Sequence, residues 1–325
     1  MGTIGGINID GPVLLGPMAG VTSLAYREFM KPFGVALSFS EMISDCAIVY
    51  GNKKTEEYFK TSSLDRPVGL QLFGSDPAIS AKAVEILETK ADYDLLDLNF
   101  GCPVHKVTKT GAGSAFLKDT NRLYGYARAI VAASHKPVTA KIRLGYDLEH
   151  VNFRENAVAL ASAGVSLVTI HSRTTSELYA GTAHHEWLKD FGKELSVPLC
   201  ISGDIFTPEA AIAAIKLTGA SYAMVARGGL GNPRLVTNIN RLYGGEEPLP
   251  APSLQEEVGF ARDFMYRLIA EKGESVAVKE LRGLLPHFFR GFRGYKKIRN
   301  DIATLCYTVG DLEKVIERVE TTGRL

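Results

Sequence analysis

The chain has 325 residues, 46% of them hydrophobic and 22% charged, with a formal net charge of +1 at pH 7. Those values fit an ordinary soluble globular protein with one large domain and room for a small second one. They exclude a polycationic binder, so any nucleic-acid contact must come from a local patch.

In chain order, short β-prone runs bounded by Gly, Pro or polar residues predict strands at 13–15, 35–39, 68–72, 95–99, 138–142, 165–170, 198–202 and 222–226. Helical periodicity falls between most of them, for example at 77–89, 121–133, 154–163 and 208–217. Asp76-Pro77 and Thr207-Pro208 each read as an N-cap followed by Pro in the first helical position. Strand alternating with helix predicts a parallel sheet, and eight such units predict a (β/α)₈ barrel. An open doubly wound sheet is the competing architecture. It usually carries G-x-G-x-x-G after its first strand, whereas here Gly16-Pro17-Met18-Ala19-Gly20 follows.

The pattern changes at the Pro/Gly-rich stretch around Gly244 to Pro252. Residues 1–243 are expected to form the barrel domain, 244–253 a linker, and 254–325 a small all-helical domain with helices at 254–272, 275–289, 295–306 and 310–319. No apolar run reaches the length of a membrane span, and the first 16 residues lack the basic start and cleavage site of an export signal. Cys46, Cys102, Cys200 and Cys306 form no C-x-x-C pair, so no metal or iron–sulfur site is expected. A reduced, cytoplasmic chain follows as the expectation.

Side chains at the C-terminal ends of barrel strands face the active site. Those ends carry Pro17-Met18-Ala19, then Ser40 and Glu41, Gln71, Asn99, Lys141 and Arg143, His171 and Arg173, Ser202-Gly203-Asp204, and Arg227-Gly228-Gly229. Cys102 follows the fourth strand in a Gly-Cys-Pro turn that lifts it off the strand end. A thiol with an ordinary pKa of roughly 8.5 is mostly protonated at neutral pH and can donate a proton. The last two strand ends are glycine-rich, at the positions this fold uses for phosphate. Lys141-x-Arg143 and His171-x-Arg173 place four cationic or potentially cationic groups toward one cavity, which an anion would offset.

These motifs resemble those of the tRNA-dihydrouridine synthases. The resemblance runs in order from Pro17-Met18-Ala19-Gly20-Val21-Thr22 through Gln71-Leu72-Phe73-Gly74, Asp97-Leu98-Asn99-Phe100-Gly101-Cys102-Pro103 and Lys141-Ile142-Arg143 to Ser202-Gly203-Asp204 and Ala226-Arg227-Gly228. It implies FMN-mediated, NADPH-dependent reduction of the 5,6 double bond of uridine in tRNA. It also implies an FMN site made of Pro17, Met18, Ala19, Gln71, Lys141, His171, Ser202, Gly203, Asp204, Ala226 and Arg227. Ser202 and Ala226 stand where the family usually has Asn and Gly. Hydride would add at C6 and negative charge would build toward O4. Cys102 would then protonate C5 and Asn99 would hold the uracil edge, with Arg143 and Arg173 also facing substrate.

Residues 279–299 hold seven Lys/Arg against one acid, Glu280. Lys279, Arg282, Arg290, Arg293 and Lys297 are expected to contact RNA phosphates, while the interleaved Phe288, Phe289, Phe292 and Tyr295 are expected to face the core. No membrane and no obligatory protein partner is expected. Two other readings compete: an FMN barrel acting on a free pyrimidine, in the manner of a dihydroorotate dehydrogenase, and a non-catalytic tRNA-binding protein.

Overall fold

The computed structural model describes residues 2–322. The chain opens with a two-stranded antiparallel hairpin, β1 (Gly2–Ile4) and β2 (Ile7–Ile9). Gly5 and Gly6 turn it at φ values of 57° and 87°, which favour glycine. Sequence reading missed this hairpin because two three-residue strands carry no measurable period.

Eight parallel strands then close a barrel: β3 (Val13–Leu15), β4 (Leu37–Ser44), β5 (Val68–Phe73), β6 (Leu95–Asn99), β7 (Val138–Arg143), β8 (Val168–His171), β9 (Leu199–Ser202) and β10 (Tyr222–Val225). The ring closes where Ala223 of β10 pairs with Val13 of β3. All eight expected strands are present. β4 starts two residues later than expected and continues past a register shift between Phe39 and Met42. Glu41 there lines the cavity, whereas Ser40 does not, being fully buried with its hydroxyl accepting from the Gln71 amide. The hairpin plugs the other end: Ile4 and Ile9 are fully buried against Leu167, Cys200 and Tyr222.

The capping signals are realised locally. Asp76 accepts hydrogen bonds from the Ala78 and Ile79 amides, at 2.8 and 3.1 Å, at the start of helix Pro77–Lys90. Thr207 accepts from Ala210 N, at 3.1 Å, before helix Pro208–Thr218. Helices Thr120–Ala133 and Phe153–Ser162 complete the four expected between strands.

After helix Arg234–Tyr243 the chain is helical again: Leu254–Lys272, Glu274–Leu284, Tyr295–Leu305 and Val309–Thr322. Expected helix 275–289 ends early. Pro286 cannot continue an α-helix, and the chain passes into a tighter 3₁₀ turn at Leu285–Phe289. These helices are built onto the barrel rather than hung from it. The Phe264 ring lies 5.5 Å from Tyr26, 5.7 Å from Phe29 and 5.8 Å from Phe288. Glu271 accepts a hydrogen bond from Ala25 N at 2.7 Å, at the start of helix Leu24–Met30. Phe288 and Phe289 are core residues, as their spacing leads one to expect.

Phe264→Ala should therefore destabilise the whole molecule by about 3–5 kcal/mol. The single tryptophan, Trp187, reports the barrel alone. Urea unfolding followed by its fluorescence and by far-ultraviolet circular dichroism should give coincident, equally shifted transitions.

Candidate active site

The C-terminal ends of the eight strands surround a cavity of about 1020 Å³. Its walls include Pro17, Met18, Ala19, Gln71, Asn99, Cys102, Lys141, Arg143, His171, Ser202, Gly203, Asp204, Ala226 and Arg227. Residues drawn from widely separated parts of the sequence thus meet in one place.

Cys102 sits half-buried at the wall, on a loop held from beneath. Asn99 Oδ1 accepts from the Cys102 amide at 2.9 Å and from the Gly101 amide at 3.2 Å. The Cys102 carbonyl accepts from Ser114 N at 3.1 Å. A Cβ on Gly113 would come within 2.8 Å of that carbonyl, and its φ of 60° independently favours glycine. Burial pushes the Cys102 thiol above its ordinary pKa, against the pull of the Val104 amide, Arg143 and Lys141. The thiol is therefore protonated at neutral pH.

Asn99 differs from its expected role. Its acceptor is used within the loop, and its Nδ2 donates to Gln71 Oε1 at 2.7 Å. Its other Nδ2 hydrogen points at the Met42 Sδ, a weak acceptor, at 3.9 Å. Gln71 in turn donates to Asp97 Oδ2 at 2.6 Å.

The four expected cations are not equivalent. Arg173 does not line the cavity, contrary to expectation. It is 1% exposed, forks onto both carboxylate oxygens of Asp204 at 2.9 and 2.7 Å, and donates to the Ala180 and Gly181 carbonyls. A guanidinium so committed holds a wall in place instead of meeting substrate. Burial raises the Asp204 carboxyl, but the Arg173 fork and the Ala183 amide hold it below the usual range. Arg143 lines the cavity with its guanidinium donated to the Gly101, Thr174 and Leu178 carbonyls. His171 is neutral, because burial and the surrounding Lys141, Arg143, Arg173 and Arg227 all oppose its charge.

Lys141 and Arg227 remain for a bound anion. Burial and then Arg143 lower Lys141 to about 8. The half-exposed Arg227 guanidinium lies 4.7 Å from the centre of the Tyr179 ring and 3.7 Å from Asp204.

Four apolar residues line the cavity yet are about half exposed: Tyr58, Val104, Tyr179 and Phe206. They form a rim that sequence reading missed, since loop aromatics carry no periodic signal. Beyond it, Gly231 packs against the His287 backbone, which joins the last barrel loop to the C-terminal helices. There Lys279, Arg290, Arg293 and Lys297 are exposed. Arg282 is not among them: it donates to the Cys306 carbonyl at 2.7 Å and stacks on Tyr307, so it ties two helices together. Among the described residues no cluster of His, Cys, Asp or Glu could hold a metal, and no helix is long and apolar enough to cross a membrane.

The family model described as dihydrouridine synthase (Dus) matches residues 14–321. The chain is 31% identical to a "Probable tRNA-dihydrouridine synthase 1" of Synechocystis sp., over 99% of this chain and 90% of that one. It is 30% identical to "tRNA-dihydrouridine synthase B" of Pseudomonas aeruginosa, over 91% and 89% respectively. Among solved structures, a 2-naphthoyl-CoA reductase complex shares the barrel, with a TM-score of 0.53 and 13% identity, over 75% of this chain and 51% of that one.

The thiol's surroundings set a pH test. Alkylation of Cys102, followed peptide by peptide, should have its midpoint above that of an ordinary cysteine. Lys141→Ala removes a cation that favours the thiolate and should move the midpoint higher still.

Proposed function

The chain belongs to the dihydrouridine synthase family, and from that premise we propose that it reduces the 5,6 double bond of uridine in tRNA, with FMN in the barrel-end cavity, NADPH as the reductant and Cys102 as the proton donor. The observation that carries this reading is a protonated, half-buried thiol fixed at the wall of a cavity that also presents two cations. At about 1020 Å³ the cavity lies at the upper end of small-molecule sites, which suits a cofactor and a base together.

The residues present fit FMN. Pro17, Met18 and Ala19 offer an apolar wall, and the Lys141 ammonium has no hydrogen-bond or ion-pair partner among the described residues. Neutral His171 can donate a hydrogen bond. Gly203, Gly228 and Arg227 suit a phosphate, through freed backbone amides and a guanidinium. Gln71, Ser202, Asp204 and Ala226 complete the set. When bound, FMN would supply the hydride, drawn from NADPH.

The chain's own residues account for the rest. Charge developing toward O4 of the base requires a donor, and Lys141 on the cavity wall can provide one. Cys102 gives its proton to C5 and becomes a thiolate, which Arg143 and Lys141 favour electrostatically. A paired uracil cannot enter, so the nucleotide must be flipped out, and Tyr58, Tyr179 and Phe206 offer stacking faces at the mouth. Exposed Lys279, Arg290, Arg293 and Lys297 would hold the RNA backbone. The cytoplasm, where tRNA and free thiols coexist, is the compartment this reading implies.

Two measurements test it. Cys102→Ala should keep its FMN but lose about 10²-fold or more in turnover on tRNA; full dihydrouridine formation by that variant would remove Cys102 from the reaction. Reversing Arg290, Arg293 and Lys297 to Glu should leave FMN content and slow NADPH oxidation by oxygen nearly intact. It should weaken tRNA binding sharply and flatten its salt dependence by about one counterion per lost phosphate contact. Unchanged affinity and slope would favour a free pyrimidine as substrate.

A further inference from the structure

Asp97 is a carboxylate inside the barrel, one layer below the cavity. It is 1% exposed and does not line the cavity, so it cannot touch a substrate there. Burial raises its carboxyl to about 6, against hydrogen bonds from Thr139 and Gln71 and the charge of Lys141. A buried carboxylate in an apolar strand is unfavourable unless its hydrogen bonds do something an apolar residue cannot.

Those bonds form one chain. Thr139 Oγ1 donates to Asp97 Oδ1 at 2.6 Å, Gln71 Nε2 to Asp97 Oδ2 at 2.6 Å, and Asn99 Nδ2 to Gln71 Oε1 at 2.7 Å. Asn99 Oδ1 then accepts from the Cys102 amide at 2.9 Å. Two links are amides, which can face either way. Their direction is dictated from both ends. The Cys102 N–H can only donate, so Asn99 must present its oxygen there and its nitrogen to Gln71. Gln71 must then present its oxygen to Asn99 and its nitrogen to Asp97, which must accept.

We propose that Asp97 is a positioning residue: the acceptor end of this chain, it sets the direction of the Gln71 and Asn99 amides and so holds the Cys102 backbone at the cavity wall. The proposal rests on the reading of Cys102 as proton donor only for its functional meaning. The chain itself can be tested without turnover.

The test uses the full chain as purified, its melting temperature, and peptide-resolved alkylation of Cys102 by iodoacetamide. Asn99→Asp keeps an acceptor for the Cys102 amide but turns a second acceptor toward Gln71. Gln71 must flip and then presents its oxygen to Asp97, where two acceptors face each other. The variant should melt about 4 °C lower, and Cys102 should alkylate several-fold faster as its loop loosens. Adding Asp97→Asn lets both Gln71 links run in reverse with every link satisfied: Asn at 97 donates to the flipped Gln71 and still accepts from Thr139. The double variant should regain most of the lost melting temperature and slow alkylation again. Adding Asp97→Leu to Asn99→Asp relieves the same charge repulsion but supplies no donor, and should restore neither. Equal rescue by Asn and Leu, or rescue by neither, would overturn the proposal. Full tRNA reduction by Cys102→Ala would instead remove the acid and leave this result standing.

Discussion

Closure of the barrel between β10 and β3 is the constraint on which everything else depends. The Gly16 amide donates to the Val225 carbonyl at 2.8 Å across that seam. It places Pro17, Met18 and Ala19 beside Ala226 and Arg227, from the two ends of the barrel sequence. Without it the polar groups at the strand ends would lie along an open edge, facing no common volume. With it they share one wall, and the low dielectric inside makes each of their pairings matter more.

Once gathered, the charges have to be separated into roles. Asp204 neutralises Arg173, and backbone carbonyls absorb Arg143. Burial, and then its neighbours' field, keeps His171 neutral. Of the four expected cations, two brace loops, one is neutral, and Lys141 stays available for an anion, joined on the cavity wall by Arg227. The same field keeps a route open for thiolate formation at Cys102 while burial keeps the resting thiol protonated.

Much of this was legible in the sequence because it is written in local rules. Short β-branched runs between helical periods yield the barrel, and capping dipeptides place helix starts at Asp76 and Thr207. Strand ends name the cavity wall, since in this fold position along a strand is position relative to the site. What could not be read depends on partners far apart in the chain. Nothing around Arg173 announces that Asp204 will take its charge, and nothing around Arg282 announces the Cys306 carbonyl. Asp97 carried a signal that went unread: an acid two residues before Asn99, on the same face of an apolar strand, asks what it accepts from. The rim aromatics and the first hairpin carried none.

The hairpin has a consequence in time. Its Ile4 and Ile9 belong to a buried cluster that is complete only when Leu167, Cys200 and Tyr222 join it, and Gly5 nests against Pro137. A chain made from its N-terminus therefore exposes these apolar residues while more than 200 others are still being added. At about 5–20 residues per second that wait lasts tens of seconds. Eight residues of modest hydrophobicity and paired glycines make a segment that can idle in water without seeding association. The hairpin precedes every barrel strand in the sequence and is among the last elements to be sealed into place.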